Sequence, residues 1–296
     1  MPIYVNGKQG RAPVSFPGFF SRDIFGKDHV LDNLNVTLIV LNMMEPCVRK
    51  KVVKIVGSAS EETEDIIAAE RRIVISVNDK KVLSLFCTPT MIKELVVGFF
   101  LNEGIIKGHF CADAITIRYG DKMDIYVNIP ADGEASIEGM VRTTGCIGGI
   151  TFDRKEYKKA SDNFFIASEK LKSMFREFNR KATLFQATGC MHSAAISDRE
   201  KILVIAEDIG RHNAVDKVIG HCIIENISLE DKMMLVSGRL SSEIASKCAR
   251  WGVPVLVSRT SPTSYAIEIA EKANITLIGF VRGNRFNIYA NSHRVL

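Results

Sequence analysis

In Arg142-Thr-Thr-Gly-Cys-Ile-Gly-Gly149, Cys146 has Gly145 before it and Gly148 and Gly149 after it. A reactive thiol needs access and a stabilised thiolate. The glycines offer exposure and mobility, and Arg142 could stabilise the thiolate. Inert packing is the ordinary state of a lone cysteine, and the glycine setting brings the two readings level.

Other residues with chemical potential gather in Thr188–Ser193, Glu207–Asn213, Ser237–Glu243 and Gly279–Arg285. All lie at the ends of expected strands, where open α/β sheets bind ligands. In Ser237–Glu243, Gly238 permits a tight turn and Ser241 or Ser242 can cap a helix. The free N–H groups of that helix start, with Arg239, would form an anion site. A capped helix with a solvated Arg239 explains the same residues equally well. In Gly279–Arg285, Arg282 and Arg285 flank Gly283 and could grip phosphates bidentately, although a surface turn is the commoner meaning of such a pattern. Glu207, Asp208, His212 and Asp216 are close enough for a metal cluster. Arg211 and Lys217 nearby favour an ion-pair and hydrogen-bond network, so no structural metal is expected. His192 and Cys190 could form a nucleophile pair, but near neighbours in sequence need not face each other, and a structural loop is preferred.

The elements that must position these loops follow from periodicity. Val48–Val56 reads as a strand, and Arg72–Asn78 alternates as another. Asn78-Asp79 is a turn signal, with Lys81–Phe86 completing a hairpin. Thr88-Pro89 opens a helix with Ile92, Leu95, Val96 and Phe99 on one face. Ile115–Tyr119 and Met123–Ile129 form a further strand pair. Asp153–Arg180 reads as a long helical region with Phe164, Leu171, Phe175 and Phe178 on one side. After it come a strand at Ile202–Ala206 and a helix burying Ala214, Val215, Val218, Ile219, Cys222 and Ile223. Met233–Val236, Val253–Ser258, Ile275–Val281 and Phe286–Tyr289 are strands; Ser242–Trp251 and Ser264–Ala273 are helices. This alternation implies a three-layer α/β sheet. Cys222 and Cys248 fall within it as small core residues.

Three segments are expected: an irregular extension over 1–45, an α/β subdomain over 46–150 that ends in the Cys146 loop, and a second domain over 151–296. The extension carries Pro2, Pro13 and Pro17 without useful periodicity, and a natural start at Met43 or Met44 would account for it.

Composition narrows the function classes. The 296 residues are 46% hydrophobic and 25% charged, as in ordinary globular proteins. A net charge of +5 allows an anionic ligand but not the dense basic field of a nucleic-acid coat. The apolar run Val36–Met44 is far short of the ~20 residues a membrane span needs, and no cleavable signal pattern is present. A cytoplasmic protein is expected, with neither membrane nor nucleic-acid partner. The 7 cysteines are scattered and make no C-x-x-C, which argues against disulfide frameworks, zinc ribbons and thioredoxin-like motifs.

Long ordered motifs then point to one family. Ala69–Asn78, Gly98-Phe-Phe-Leu-Asn-Glu-Gly104, Glu207–Gly220, Ser237–Glu243, Pro254–Ala270 and Thr276–Tyr289 resemble the formate dehydrogenase accessory sulfurtransferases, the FdhD/NarQ family, over about residues 50–290. The resemblance implies a sulfur carrier. A cysteine desulfurase would load a persulfide onto the loop cysteine, here Cys146. The sulfur would then reach the molybdenum (or tungsten) cofactor before its insertion into formate dehydrogenase. It also implies binding of the bis-molybdopterin guanine dinucleotide form of that cofactor by Phe280, Val281, Arg282, Gly283, Asn284 and Arg285. A homodimer and a cytidine-deaminase-like C-terminal fold are implied as well. Zinc deaminases need H-x-E and P-C-x-x-C, and both are absent here. Relatives often carry C-x-x-C in the carrier loop, but Gly149 stands three residues after Cys146. Cys190 stands where relatives commonly have glycine; it is either a neutral substitution or a second acceptor thiol. The alternative function is a non-catalytic chaperone that binds the molybdenum cofactor, with Cys146 incidental.

Overall fold

Asn78 and Asp79 both adopt left-handed backbone (φ 49° and 63°), the signature of the two-residue hairpin turn whose twist matches its strands. Asn78 also exchanges side-chain hydrogen bonds with the backbone of Ala131, fixing the turn to a neighbouring segment. The computed structural model describes residues 44–105, 110–120, 124–132, 140–142, 150–152 and 157–296. The extension as far as residue 43 lies outside that set, as does the Cys146 loop, 143–149.

The turn joins β3 (Arg71–Val77) to β4 (Lys80–Cys87). With β5 (Thr116–Tyr119) and β6 (Ile125–Ile129), they form a four-stranded sheet ordered β4-β3-β6-β5. Helix α1 (Ile92–Glu103) packs its Ile92, Leu95, Val96 and Phe99 against the buried Ile73, Ile75, Ile125 and Val127. Before this sheet, β1 (Cys47–Val56) and β2 (Ala59–Ala68) make a separate antiparallel ribbon. Short β7 (Met140–Arg142) and β8 (Ile150–Phe152) pair with each other.

The second sheet has six strands ordered β10-β9-β11-β12-β13-β14. They are β9 (His192–Ser197), β10 (Ile202–Asp208), β11 (Met233–Val236), β12 (Val255–Ser258), β13 (Thr276–Arg282) and β14 (Arg285–Ala290). The β11-β12-β13 centre is parallel, and the other pairs are antiparallel. Strand alternation divides its core in two. Met234, Val236, Leu256 and Leu277 face helices α4 (Arg211–Ile224), α5 (Ser242–Arg250) and α6 (Ser264–Lys272). Met233, Leu235, Val255 and Val257 face α2 (Ser168–Lys181), with α3 (Thr183–Thr188) following it.

Both sheets belong to one compact unit, Asn42–Leu296. Their junction is the crossing of α1 and α4, made close by two glycines. A Cβ on Gly98 would fall onto the Asp216 carbonyl oxygen, and one on Gly220 onto the Glu94 carbonyl oxygen. Polar groups then lock the crossing. Lys247 Nζ contacts Asp216 Oδ1 at 2.6 Å and Glu103 Oε1 at 3.2 Å. Asn102 donates to Asp216 and accepts from the Trp251 indole.

Three expectations need correction. The region read as helical from Asp153 becomes helix only at Ser168. Ile166, with N–H and carbonyl bonded to Arg294 and Leu296, is held extended by the C-terminal segment. Phe164 still joins Phe175 and Phe178 in one core, but from outside the helix. His192 and Ser193, read as loop, begin a strand; the alanines of His-Ser-Ala-Ala-Ile-Ser give it little β signal. β2 was also unread, because its acidic residues conceal a strand that pairs with the basic β1.

Candidate functional site

One end of the six-stranded sheet gathers nearly all the chemistry-bearing loops. Asp208 ends β10 opposite His192, which begins β9. The Gly238 carbonyl, just beyond β11, accepts from Ser258 Oγ and Thr260 Oγ1, each at 2.7 Å, after β12. Thr260 O accepts the Phe280 N–H at 3.0 Å, and Arg259 O accepts Arg282 Nε at 3.3 Å. These bonds join the loops after β11, β12 and β13 into one surface.

Beneath that surface, against α2, lies a cavity of about 260 Å³ whose walls include Lys172, Arg176, Arg259 and Arg282. Ser193 and Ser237 line it too. Val281 and Gly283 reach the cavity from the β13–β14 hairpin, while Asn284 and Arg285 are exposed at its tip. Gly283 has φ 58°, the left-handed region the turn requires. Phe280, also left-handed at φ 53°, interrupts β13 and lies under the Arg282 guanidinium at 5.7 Å. Gly279 answers a close approach: a Cβ there would meet Thr260 O at 2.7 Å. Across the hairpin, Arg282 pairs in register with Arg285. Like charges directly opposite are destabilising, so an anion between them would relieve the pair.

Arg259, Arg176 and Lys172 were not singled out in the sequence. For Arg259 a signal existed, since Ser258-Arg-Thr-Ser-Pro262 is another polar loop at a strand end. Arg176 and Lys172 gave no signal beyond ordinary helical surface charge.

The acidic cluster is an ion-pair network. Asp208 Oδ2 lies 2.6 Å from Lys217 Nζ, with both side chains fully buried. Asp208 also accepts the Thr88 and Gly210 N–H groups. Lys217 further donates to Thr88 O at 3.0 Å. Asp216 is taken by Lys247. Glu207 accepts the Leu184 and Phe185 N–H groups at the start of α3, and burial raises its pKa. His212 Nε2 is 2.9 Å from Glu243 Oε2. Gly238 lies in a bend without left-handed backbone and packs closely against Arg211 and His192. Ser241 occupies the α5 N-cap without a capping bond and instead pairs its hydroxyl with Glu243 Oε2 at 2.8 Å.

The thiols divide by exposure. Cys222 and Cys248 are buried, as expected, and burial pushes both up to about 12. Cys87 is also buried, and burial raises its pKa. Cys47 is raised to about 11 by burial and then by Glu207 and Glu45. Cys111 and Cys190 are exposed. Cys190 follows Gly189, which closes α3, and its N–H donates to Thr188 Oγ1.

Residues 68–296 match the model of the FdhD/NarQ family. The chain belongs to the FdhD/NarQ family. A relative named sulfur carrier protein FdhD, from Bacillus pumilus, is 36% identical over 85% of this chain and 99% of its own. Its namesake from Bacillus subtilis is also 36% identical, over 79% and 92% respectively. A crystal structure described as a formate dehydrogenase accessory protein from Desulfotalea psychrophila superposes with a TM-score of 0.70. It is 28% identical and covers 85% of this chain and 100% of its own. Within the family member described here, no helix among the described residues is long and apolar enough to cross a membrane.

Proposed function

We propose that this chain is a cytoplasmic sulfur carrier serving formate dehydrogenase, with Cys146 as the carrier thiol. Family membership and relatives named sulfur carrier protein FdhD support the activity. The opposed Arg282 and Arg285 beside the cationic cavity are the observation that carries the ligand reading.

In the loading step, the Cys146 thiolate attacks the outer sulfur of a persulfide on a cysteine desulfurase. A new S–S bond forms, the donor's S–S bond breaks, and the donor cysteine leaves as a thiolate. The exchange is redox-neutral and favours an accessible, mobile attacking thiol. The outer sulfur would then pass to the molybdenum (or tungsten) cofactor, substrate here in its bis-molybdopterin guanine dinucleotide form: the S–S bond on Cys146 breaks, Cys146 leaves as a thiolate, and the accepting cofactor supplies the electron pair for the new bond to sulfur. Phe280–Arg285 would hold its phosphates through Arg282 and Arg285, with Arg259 adding a guanidinium. The loaded cofactor passes to formate dehydrogenase. A homodimeric assembly and a cytidine-deaminase-like fold for the six-stranded domain complete the proposal.

Incubation with a cysteine desulfurase and cysteine, followed by alkylation and mass spectrometry, tests the function. A persulfide adduct on the chain is expected. A chain that binds the cofactor yet never acquires sulfur would instead be a non-catalytic cofactor chaperone.

A further inference from the structure

A second anion-seeking arrangement lies on the other face of the same sheet end. Arg211 is 7% exposed, and its buried Nε has no hydrogen-bond partner. An unmatched buried donor of this kind costs free energy unless a ligand or water completes it. Arg211 opens α4, a 14-residue helix whose N-cap, Gly210, supplies no side-chain cap. The first N–H groups of such a helix attract anions.

Gly238 packs directly against the Arg211 side chain. A Cβ on Gly238 would stand 3.3 Å from Arg211 Cβ and Cδ and 3.4 Å from His192 Nδ1. Arg211, at the start of α4, and His192 thus meet at Gly238, with the exposed Arg239 next in the chain. Of the nearby carboxylates, Asp208 is matched by Lys217, and Glu243 lies against His212 and accepts the Ser241 hydroxyl. Ser193 and Ser237 belong to the Arg282 cavity, and strand alternation turns Ser193 to the face opposite His192.

We propose that Arg211, His192 and the N-terminus of α4, arranged over Gly238, form a second oxyanion site that holds one phosphoryl group. The site is separate from the Arg282 cavity and does not depend on sulfur transfer. Its phosphoryl group could belong to a nucleotide or be free phosphate; the chemistry of recognition is the same.

Inorganic phosphate titrated into the full chain, followed by histidine imidazole NMR, tests the site. Saturable shifts at His192, with His221 and His293 unmoved, are expected. No shift at His192 up to tens of millimolar, or equal shifts at all histidines, would overturn the site. Arg211→Gln should weaken phosphate binding on the order of tenfold or more, as loss of a charge-assisted bond does. Should that variant fail to fold, the exposed Arg239→Ala should weaken binding severalfold; unchanged affinity in a folded Arg211→Gln, or in Arg239→Ala where Arg211→Gln does not fold, contradicts the proposal. A nucleoside diphosphate that shifts His192 at lower concentration than inorganic phosphate does would identify a nucleotide source, and one that binds there more weakly than inorganic phosphate a free one.

Discussion

Arg282 and Arg285 face each other across the final strand pair, two guanidinium groups in register at the tip of one hairpin. Only Arg282 has a hydrogen bond of its own, to Arg259 O. This arrangement is poor for stability and well suited to a phosphate. Arg285→Ala should therefore leave thermal stability unchanged or slightly raised. It should weaken binding of the pterin dinucleotide on the order of tenfold, as for loss of one charge-assisted bond. Calorimetric titration alongside a melting curve checks both halves.

The buried Asp208–Lys217 pair carries the opposite expectation. Lys217→Met would strand the Asp208 carboxylate and leave Thr88 O without its lysine donor. Breaking one side of a buried pair costs about 3–5 kcal/mol. Urea unfolding should show that loss, and Asp208→Asn combined with Lys217→Met should recover part of it.

The junction of the two sheets is sensitive to a single methyl group. Gly98→Ala and Gly220→Ala each force a Cβ onto a backbone carbonyl of the opposing helix. Either should cost about 1–3 kcal/mol or more by overpacking. A Gly57→Ala control meets no neighbouring atom, although its left-handed φ of 63° carries a conformational penalty of its own. Denaturation midpoints of the three variants give the comparison.

His192 should titrate below the ordinary histidine value of about 6.5. Burial lowers it most, followed by Arg211 and His212; Asp208 opposes them and Arg239 adds to the lowering. A depressed folded-state pKa means that the unfolded chain binds the proton first as pH falls. The associated stability is fully present above about pH 6.5 and is lost as pH drops through that value towards the folded one. In phosphate-free buffer, His192→Gln should flatten this part of the stability profile.

Much of the fold was legible because burial imposes strict periods. Met233–Val236 and Val255–Ser258 are short apolar strands, and α4 buries the expected stripe from Ala214 to Cys222. Asn78-Asp79 announced its hairpin through turn chemistry alone. β9 and β2 were hidden because alanine and acidic side chains carry weak strand signals, and their pairing depends on distant partners. At the site, local sequence identified the Arg282 hairpin but not Arg176 on α2, which only tertiary packing brings to the same cavity. Gly238 was recognised for its turn, and it does lie in a bend, but its close packing was not legible. A tight turn can be read from neighbours in sequence, whereas close approach to Arg211 and His192 cannot.

The central claim is that one thiol, Cys146, carries the sulfur, without a partner three residues on, where Gly149 stands. The direct measurement is persulfide trapping after incubation with a cysteine desulfurase, comparing the native chain with Cys146→Ala, Cys190→Ala and Cys111→Ala. Formate dehydrogenase activation is read in parallel. The account predicts that only Cys146→Ala loses both the persulfide and the activation. A Cys146→Ala chain that still carries sulfur and activates the enzyme fully would contradict it.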